Sequence, residues 1–81
     1  MIEIKLYTTL GCHLCEQAQA MFNYLAHEDQ SIGKNYQLEL VEIADDDRLV
    51  ETYGIRIPVL NKNGQELAWP FELEELKLWL S

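Results

Sequence analysis

The feature that most limits what this chain can fold into is a pair of cysteines, Cys12 and Cys15, between two different hydrophobic patterns. Before the pair, apolar and polar residues alternate over residues 1–7, which is the period of a β-strand. After it, apolar residues recur at Leu14, Ala18, Met21, Phe22 and Leu25, which is the period of an amphipathic helix. The sequence therefore predicts two thiols in the first turn of a helix that directly follows a strand.

The C-x-x-C spacing puts Cys15 one turn along the same helix face, within reach of Cys12. At the start of a helix, unpaired backbone N–H groups and the positive end of the dipole favour the reactive thiolate. A disulfide across so short a loop removes little entropy from the unfolded chain and is a poor structural staple. In a cytoplasmic protein the pair therefore indicates redox chemistry or metal binding.

Length and charge restrict the function further. A chain of 81 residues, nearly half of them hydrophobic, is expected to form a single domain over residues 1–81 with one small core. Its net charge of −8 argues against a nucleic acid or an anionic membrane as partner. The first residues lack a signal-peptide pattern, and no apolar run is long enough to span a membrane. We therefore expect a cytoplasmic protein, with a monomer as the default state.

Further elements are predicted beyond the first helix, which should fade near residues 29–31, with Gly33 in the following loop. They are a strand over 36–43, a short helix from the aspartates 45–47 to Tyr53, a Pro-containing strand over 55–60, a hairpin turn at 61–64, a strand over 65–68 and a helix through Leu73, Leu76 and Leu80. The aspartates suit a helix N-terminus better than a metal site, because three adjacent side chains converge poorly on one ion.

This order predicts an α/β fold of type βαβαββα. An opening strand-helix-strand unit implies two parallel strands with a right-handed crossover, and the later hairpin adds antiparallel strands. With the first and last helices on one face and the middle helix on the other, the chain forms three layers around a four-stranded mixed sheet.

These residues resemble the thioredoxin fold, and within it glutaredoxins, most closely the uncharacterised bacterial glutaredoxin-like proteins. The resemblance rests on Cys12-His13-Leu14-Cys15 at the start of the first helix, on Ile57-Pro58 before the third strand and on the ββα ending. It implies that Pro58 is cis and faces the cysteines, and that the backbone of Ile57 is free to pair with an extended substrate. It also implies thiol-disulfide exchange as part of cell redox homeostasis.

The sequence departs from ordinary glutaredoxins around the cysteines and before the last helix. Thr9 stands where a lysine is usual, and His13-Leu14 replaces a Pro-Tyr pair. Ordinary glutaredoxins hold glutathione with a glycine pair and an acidic residue at the start of the last helix. Residues 67–72 lack the glycine pair, and only Glu72 could act as the acidic partner. We expect no tightly bound cofactor and keep glutathione as a candidate reductant whose usual binding residues are incomplete.

Roles for single residues follow from position. Cys12, nearer the helix start, is the expected nucleophile, and Cys15, backed by the core, is the expected resolving thiol. His13 either stabilises the Cys12 thiolate or is an exposed histidine in a helix turn. Arg56 either brings positive charge to the site, where it helps to bind substrate with His13, Ile57 and Pro58, or is an exposed loop residue.

Three functions are compatible with the sequence. The leading interpretation is a dithiol-disulfide oxidoreductase acting on a protein or small-molecule disulfide. A second is a redox-inert module that binds a peptide beside Pro58. A third is zinc or iron-sulfur binding by a dimer, because one chain has no second C-x-x-C motif to complete a four-ligand site. No metal ligands are assigned within one chain.

Overall fold

The elements of the chain follow the predicted order, with one helix added. A computed structural model describes residues 1–81. Its elements are β1 (Ile2–Thr8), α1 (His13–Glu28), α2 (Gln30–Asn35), β2 (Tyr36–Glu42), α3 (Asp47–Tyr53), β3 (Val59–Lys62), β4 (Gln65–Ala68) and α4 (Leu73–Leu80). None of these helices combines the length and the apolar character needed to cross a lipid bilayer.

The four strands form one mixed sheet in the order β2-β1-β3-β4. β1 and β2 are parallel, in a register that runs from Ile2 beside Tyr36 to Thr8 beside Glu42. β3 is antiparallel to both β1 and β4. The predicted parallel unit and antiparallel hairpin are both confirmed.

Successive residues of the central strands bury their side chains on opposite faces of the sheet, as the strand period requires. Leu6 and Leu60 belong to the larger core, which α1, α2 and α4 complete. Val59 belongs to a smaller cluster with Tyr53 of α3, and Tyr7 packs against it. The predicted three-layer arrangement is therefore confirmed.

The prediction that Gly33 lies in a loop is wrong, because residues 30–35 form α2. Asp29 ends α1 and caps α2, since its carboxylate accepts hydrogen bonds from the backbone N–H and the hydroxyl of Ser31 at 3.0 and 2.7 Å. A Cβ on Gly33 would lie 2.6 Å from the backbone oxygen of Ala26. The glycine therefore permits a close approach of α2 to α1.

The third strand begins at Val59, not at Ile55 as the apolar pattern predicted. Residues 54–56 form a turn, in which the carbonyl of Tyr53 accepts hydrogen bonds from Arg56 N–H and Ile57 N–H. Further on, Asn63 and Gly64 have φ angles of 52° and 92°, as a tight two-residue hairpin requires. The predicted turn and the strand Gln65–Ala68 are confirmed.

Candidate active site

The sheet gathers four connecting segments at one end, which we call the dithiol end. β1 and β2 are parallel, so the segments that follow them, 9–12 and 43–46, start side by side. Val59, the first residue of β3, pairs with both Tyr7 and Ala68. This pairing brings residues 54–58 and 69–72 to the same end of the sheet. The cysteines and Pro58, far apart in sequence, therefore lie at one end of the molecule.

Cys12 is the N-cap of α1, and its sulfur accepts a hydrogen bond from the backbone N–H of Cys15 at 3.1 Å. The Cα atoms of the two cysteines are 5.2 Å apart, and the sulfurs are joined as a disulfide. Cys12 is partly exposed, whereas Cys15 is 2% exposed, which confirms the expected difference in exposure between the two residues. A backbone N–H in this position is suited to stabilise a thiolate, because charge-assisted hydrogen bonds to an anion are strong.

The segment leading into Cys12 is held by Glu42, at the end of β2. Its carboxylate accepts hydrogen bonds of 3.0 Å from the backbone N–H groups of Ala44 and Leu10. The bond from Ala44, then the interaction with the Thr9 side chain, and then the bond from Leu10 lower the pKa of Glu42 below its ordinary value. Sequence reasoning missed this residue because nothing in the local pattern places it beside residues 9–10.

Pro58 is buried, and its peptide bond with Ile57 is cis, as the resemblance implied. The carbonyl of Pro58 accepts a hydrogen bond of 3.1 Å from Trp69 N–H. The expectation of a wholly free Ile57 backbone is wrong for its N–H, which donates to the Tyr53 carbonyl at 3.0 Å. The Ile57 carbonyl accepts no backbone hydrogen bond. Trp69 packs edge-on against Phe71 and on the larger core.

The two positively chargeable residues named from the sequence point to different neighbours. The side chain of His13 is 90% exposed, and its Nδ1 lies 3.9 Å from a carboxylate oxygen of Glu16. The Arg56 guanidinium donates to Glu66 at 3.0 Å and lies over the Tyr53 ring, 5.3 Å from its centroid. Their proposed contributions to substrate binding stay predictions.

A second cluster supports the segment that carries Pro58. The Tyr53 hydroxyl donates a hydrogen bond of 2.6 Å to Glu66, and its ring stacks on Tyr7 with centroids 4.1 Å apart. The bond from Tyr53, and then that from Arg56, lower the pKa of Glu66, and the same contact with Glu66 raises the pKa of Tyr53. Glu66 was not named from the sequence, because it appeared only as a polar residue in a hairpin strand. The cluster ties the end of α3 to β4.

Within one chain, no three His, Cys, Asp or Glu side chains lie close enough together to bind a metal ion. The two cysteine sulfurs therefore have no third ligand of these types nearby.

Comparison with known proteins places this geometry in context. The family model described as Glutaredoxin-like domain (DUF836) matches residues 3–81. The X-ray structure of the structural genomics target protein XcR50 from X. campestris is similar, with 37% identity, a TM-score of 0.78 and coverage of 95% of this chain and 93% of that one. The solution structure of XcR50 gives 37% identity and a TM-score of 0.77 over 99% and 92% of the two chains. No curated protein matches the chain.

Proposed function

This chain belongs to the glutaredoxin-like domain family, and from that premise we propose that it is a thiol-disulfide oxidoreductase in which Cys12 is the nucleophile and Cys15 the resolving thiol. The observation that carries the proposal is the asymmetry of the pair. Cys12 is a partly exposed helix cap whose sulfur accepts the Cys15 N–H, and Cys15 is buried beneath it.

The reaction consumes the reduced dithiol. The Cys12 thiolate attacks one sulfur of a substrate disulfide, so that a Cys12–substrate bond forms, the substrate S–S bond breaks, and the departing thiolate takes up a proton. Cys15 then loses its proton and attacks the Cys12 sulfur, which expels the second substrate thiolate. Two electrons pass to the substrate, and the protein is left with the Cys12–Cys15 disulfide.

Burial supports this division of roles. A residue that is 2% exposed is poorly accessible to a disulfide in solution, but Cys15 needs only to reach Cys12, and the Cα atoms of the two residues are 5.2 Å apart. The short separation makes the second attack intramolecular and therefore fast relative to attack by a free thiol. The Cys12–substrate intermediate is thus short-lived when Cys15 is present.

The proposal extends to the surroundings of the reaction. A dithiol that reduces disulfides acts where thiols are kept reduced, which supports a cytoplasmic role in redox homeostasis, and we propose a monomer. Glutathione stays a candidate reductant for the oxidised pair. Of the glycine pair and the acidic residue that usually hold it, only the acidic residue is present, as Glu72, and Glu72 is here the N-cap of α4.

Trapping the intermediate tests the proposal. Reduced Cys15→Ser protein is mixed with hydroxyethyl disulfide and analysed by mass spectrometry, with Cys12→Ser as the matched control. We expect a stable adduct on Cys12 in the first variant and a much slower adduct on Cys15 in the second. Equal rates of adduct formation would refute the assignment of roles, and no adduct in either variant would refute the function.

A further inference from the structure

Three large apolar side chains are exposed at the dithiol end. Leu10 is 93% exposed, Leu14 is 43% exposed and Ile55 is fully exposed. Leu10 and Leu14 each lie two residues from Cys12, and Ile55 belongs to the turn that precedes Pro58. Large apolar side chains exposed at the end of a molecule that carries a reactive group indicate a contact surface, whereas single exposed apolar residues elsewhere are ordinary.

The ionisable side chains at the dithiol end are mostly acidic. On the dithiol-end segments and the first turns of the helices that follow them, the acidic residues are Glu16, Asp45, Asp46, Asp47, Glu72, Glu74 and Glu75, and Glu42 lies next to them at the end of β2. The basic ones are Arg48 and Arg56, and the charge of Arg56 is paired with Glu66 at 3.0 Å. The dithiol end therefore carries excess negative charge, as does the whole chain, whose net charge is −8.

We propose that the dithiol reduces a polypeptide disulfide flanked by apolar and basic side chains, an inference that rests on the proposed oxidoreductase function. Leu10, Leu14 and Ile55 provide the apolar contact, and the carboxylates attract lysine or arginine. A surface of one charge raises the association rate of an oppositely charged partner, and added salt screens the effect. Oxidised glutathione is small and carries negative charge, so it gains from neither contact.

The electron balance is that of the single turnover described above. The reduced pair supplies both electrons, two thiols form on the peptide, and the Cys12–Cys15 disulfide is the only other product. No recycling reductant enters the measurement, because the protein is reduced and desalted beforehand.

Two synthetic peptides with the same disulfide test the charge preference. One places leucine and lysine beside the cysteines, and the other places leucine and glutamate there. We expect the lysine peptide to be reduced about tenfold faster at low ionic strength, with the ratio falling towards one in high salt. Equal rates for the two peptides, a salt-independent ratio, or faster reduction of oxidised glutathione would overturn the inference.

Substitution tests the apolar contact. Leu10→Ser and Ile55→Ser are compared with Leu78→Ser, which removes a 70% exposed leucine from α4. The alkylation rate of Cys12 is measured in each variant and used to normalise the peptide rate, so that altered thiol reactivity is not mistaken for lost contact. We expect the first two variants to slow reduction of the lysine peptide severalfold and Leu78→Ser to leave it unchanged.

The outcomes separate this inference from the function beneath it. If Ile55→Ser and Leu10→Ser behave like Leu78→Ser, the apolar surface is not used, although the protein is still an oxidoreductase. If neither peptide nor hydroxyethyl disulfide is reduced and no adduct forms on Cys12, both the function and the substrate class are refuted.

Discussion

The carboxylate of Glu42 accepts a hydrogen bond of 3.0 Å from the backbone N–H of Leu10, 32 residues earlier in the chain. Leu10 lies inside the turn that Cys12 N–H closes by donating to the Thr9 carbonyl at 3.2 Å. The end of β2 therefore fixes the backbone of the turn that precedes Cys12. A carboxylate serves here because it accepts several N–H bonds at once.

The first prediction concerns acid stability. The pKa of Glu42 is lowered in the folded state, so its ionised form stabilises the fold above the ordinary value of 4.5, and this contribution is lost as the pH falls through the lower folded value. Glu42→Gln is therefore expected to be less stable than the wild type at pH 7 and to lose less stability on acidification. Thermal unfolding at pH 7 and pH 3 measures both effects.

The matched control for Glu42 is Glu51→Gln, an exposed residue of α3 that makes no side-chain hydrogen bond or ion pair. It should change stability little at either pH. If Glu42→Gln and the wild type lose equal stability between pH 7 and pH 3, the carboxylate does not hold the turn.

The second prediction concerns the contact between Tyr53 and Glu66. Their hydrogen bond is partly buried and joins a hydroxyl to a charged acceptor, so Tyr53→Phe should lower the free energy of unfolding by about 1–3 kcal/mol. For a domain of this size, each kcal/mol corresponds to a drop in Tm of about 4–8 °C. Urea denaturation of Tyr53→Phe, Glu66→Gln and the double variant measures the coupling, which we expect to be about 1 kcal/mol. Strict additivity of the two changes would contradict the contact.

The third prediction concerns Gly33. Alanine normally stabilises a helix relative to glycine by about 0.5–1 kcal/mol, but here its Cβ would meet the Ala26 backbone oxygen at 2.6 Å. We expect Gly33→Ala to destabilise the protein by about 1 kcal/mol or more, since α2 must move away from α1. Lys34→Ala, exposed on the same helix, is the control and should stay within about 0.5 kcal/mol of the wild type. A stabilised Gly33→Ala protein would show that the two helices separate easily.

The fourth prediction concerns the reactivity of Cys12. Its position as the N-cap of α1 and the N–H of Cys15 at 3.1 Å both favour the thiolate. In Cys15→Ser protein, the alkylation rate plotted against pH should therefore have a midpoint well below the free-cysteine value of about 8.5. A midpoint at or above that value would contradict the assignment of Cys12 as the nucleophile and favour a redox-inert binding module.

The fifth prediction separates the two interpretations of His13. Because its side chain is 90% exposed and lies 3.9 Å from Glu16, we expect only a weak interaction with the Cys12 thiolate. Adding His13→Ala to the Cys15→Ser protein should shift the alkylation midpoint by less than about one pH unit. A larger upward shift would assign the imidazole a role in stabilising the thiolate.

Local patterns predicted the features that short stretches of chain control. The strand and helix on either side of Cys12 follow from a change of hydrophobic period, and the hairpin follows from Asn63-Gly64, whose backbone adopts positive φ easily. α2 was missed because Asp29 both ends one helix and caps the next, which makes the break resemble a loop. The start of β3 was misplaced because apolar residues 55 and 57 continue the strand pattern through a turn.

The sequence by itself determined the position of the thiols at the start of α1, which depends on neighbours within a few residues, and the class of fold, which follows from the order of the elements along the chain. Only the tertiary structure decided that Glu42 holds the turn before Cys12, that Glu66 holds Tyr53 and Arg56, and that Ile55 lies at the dithiol end. Each of these contacts joins residues that are distant in the chain. They depend on strand register and on the direction of each connection, which leave no periodic trace in the sequence.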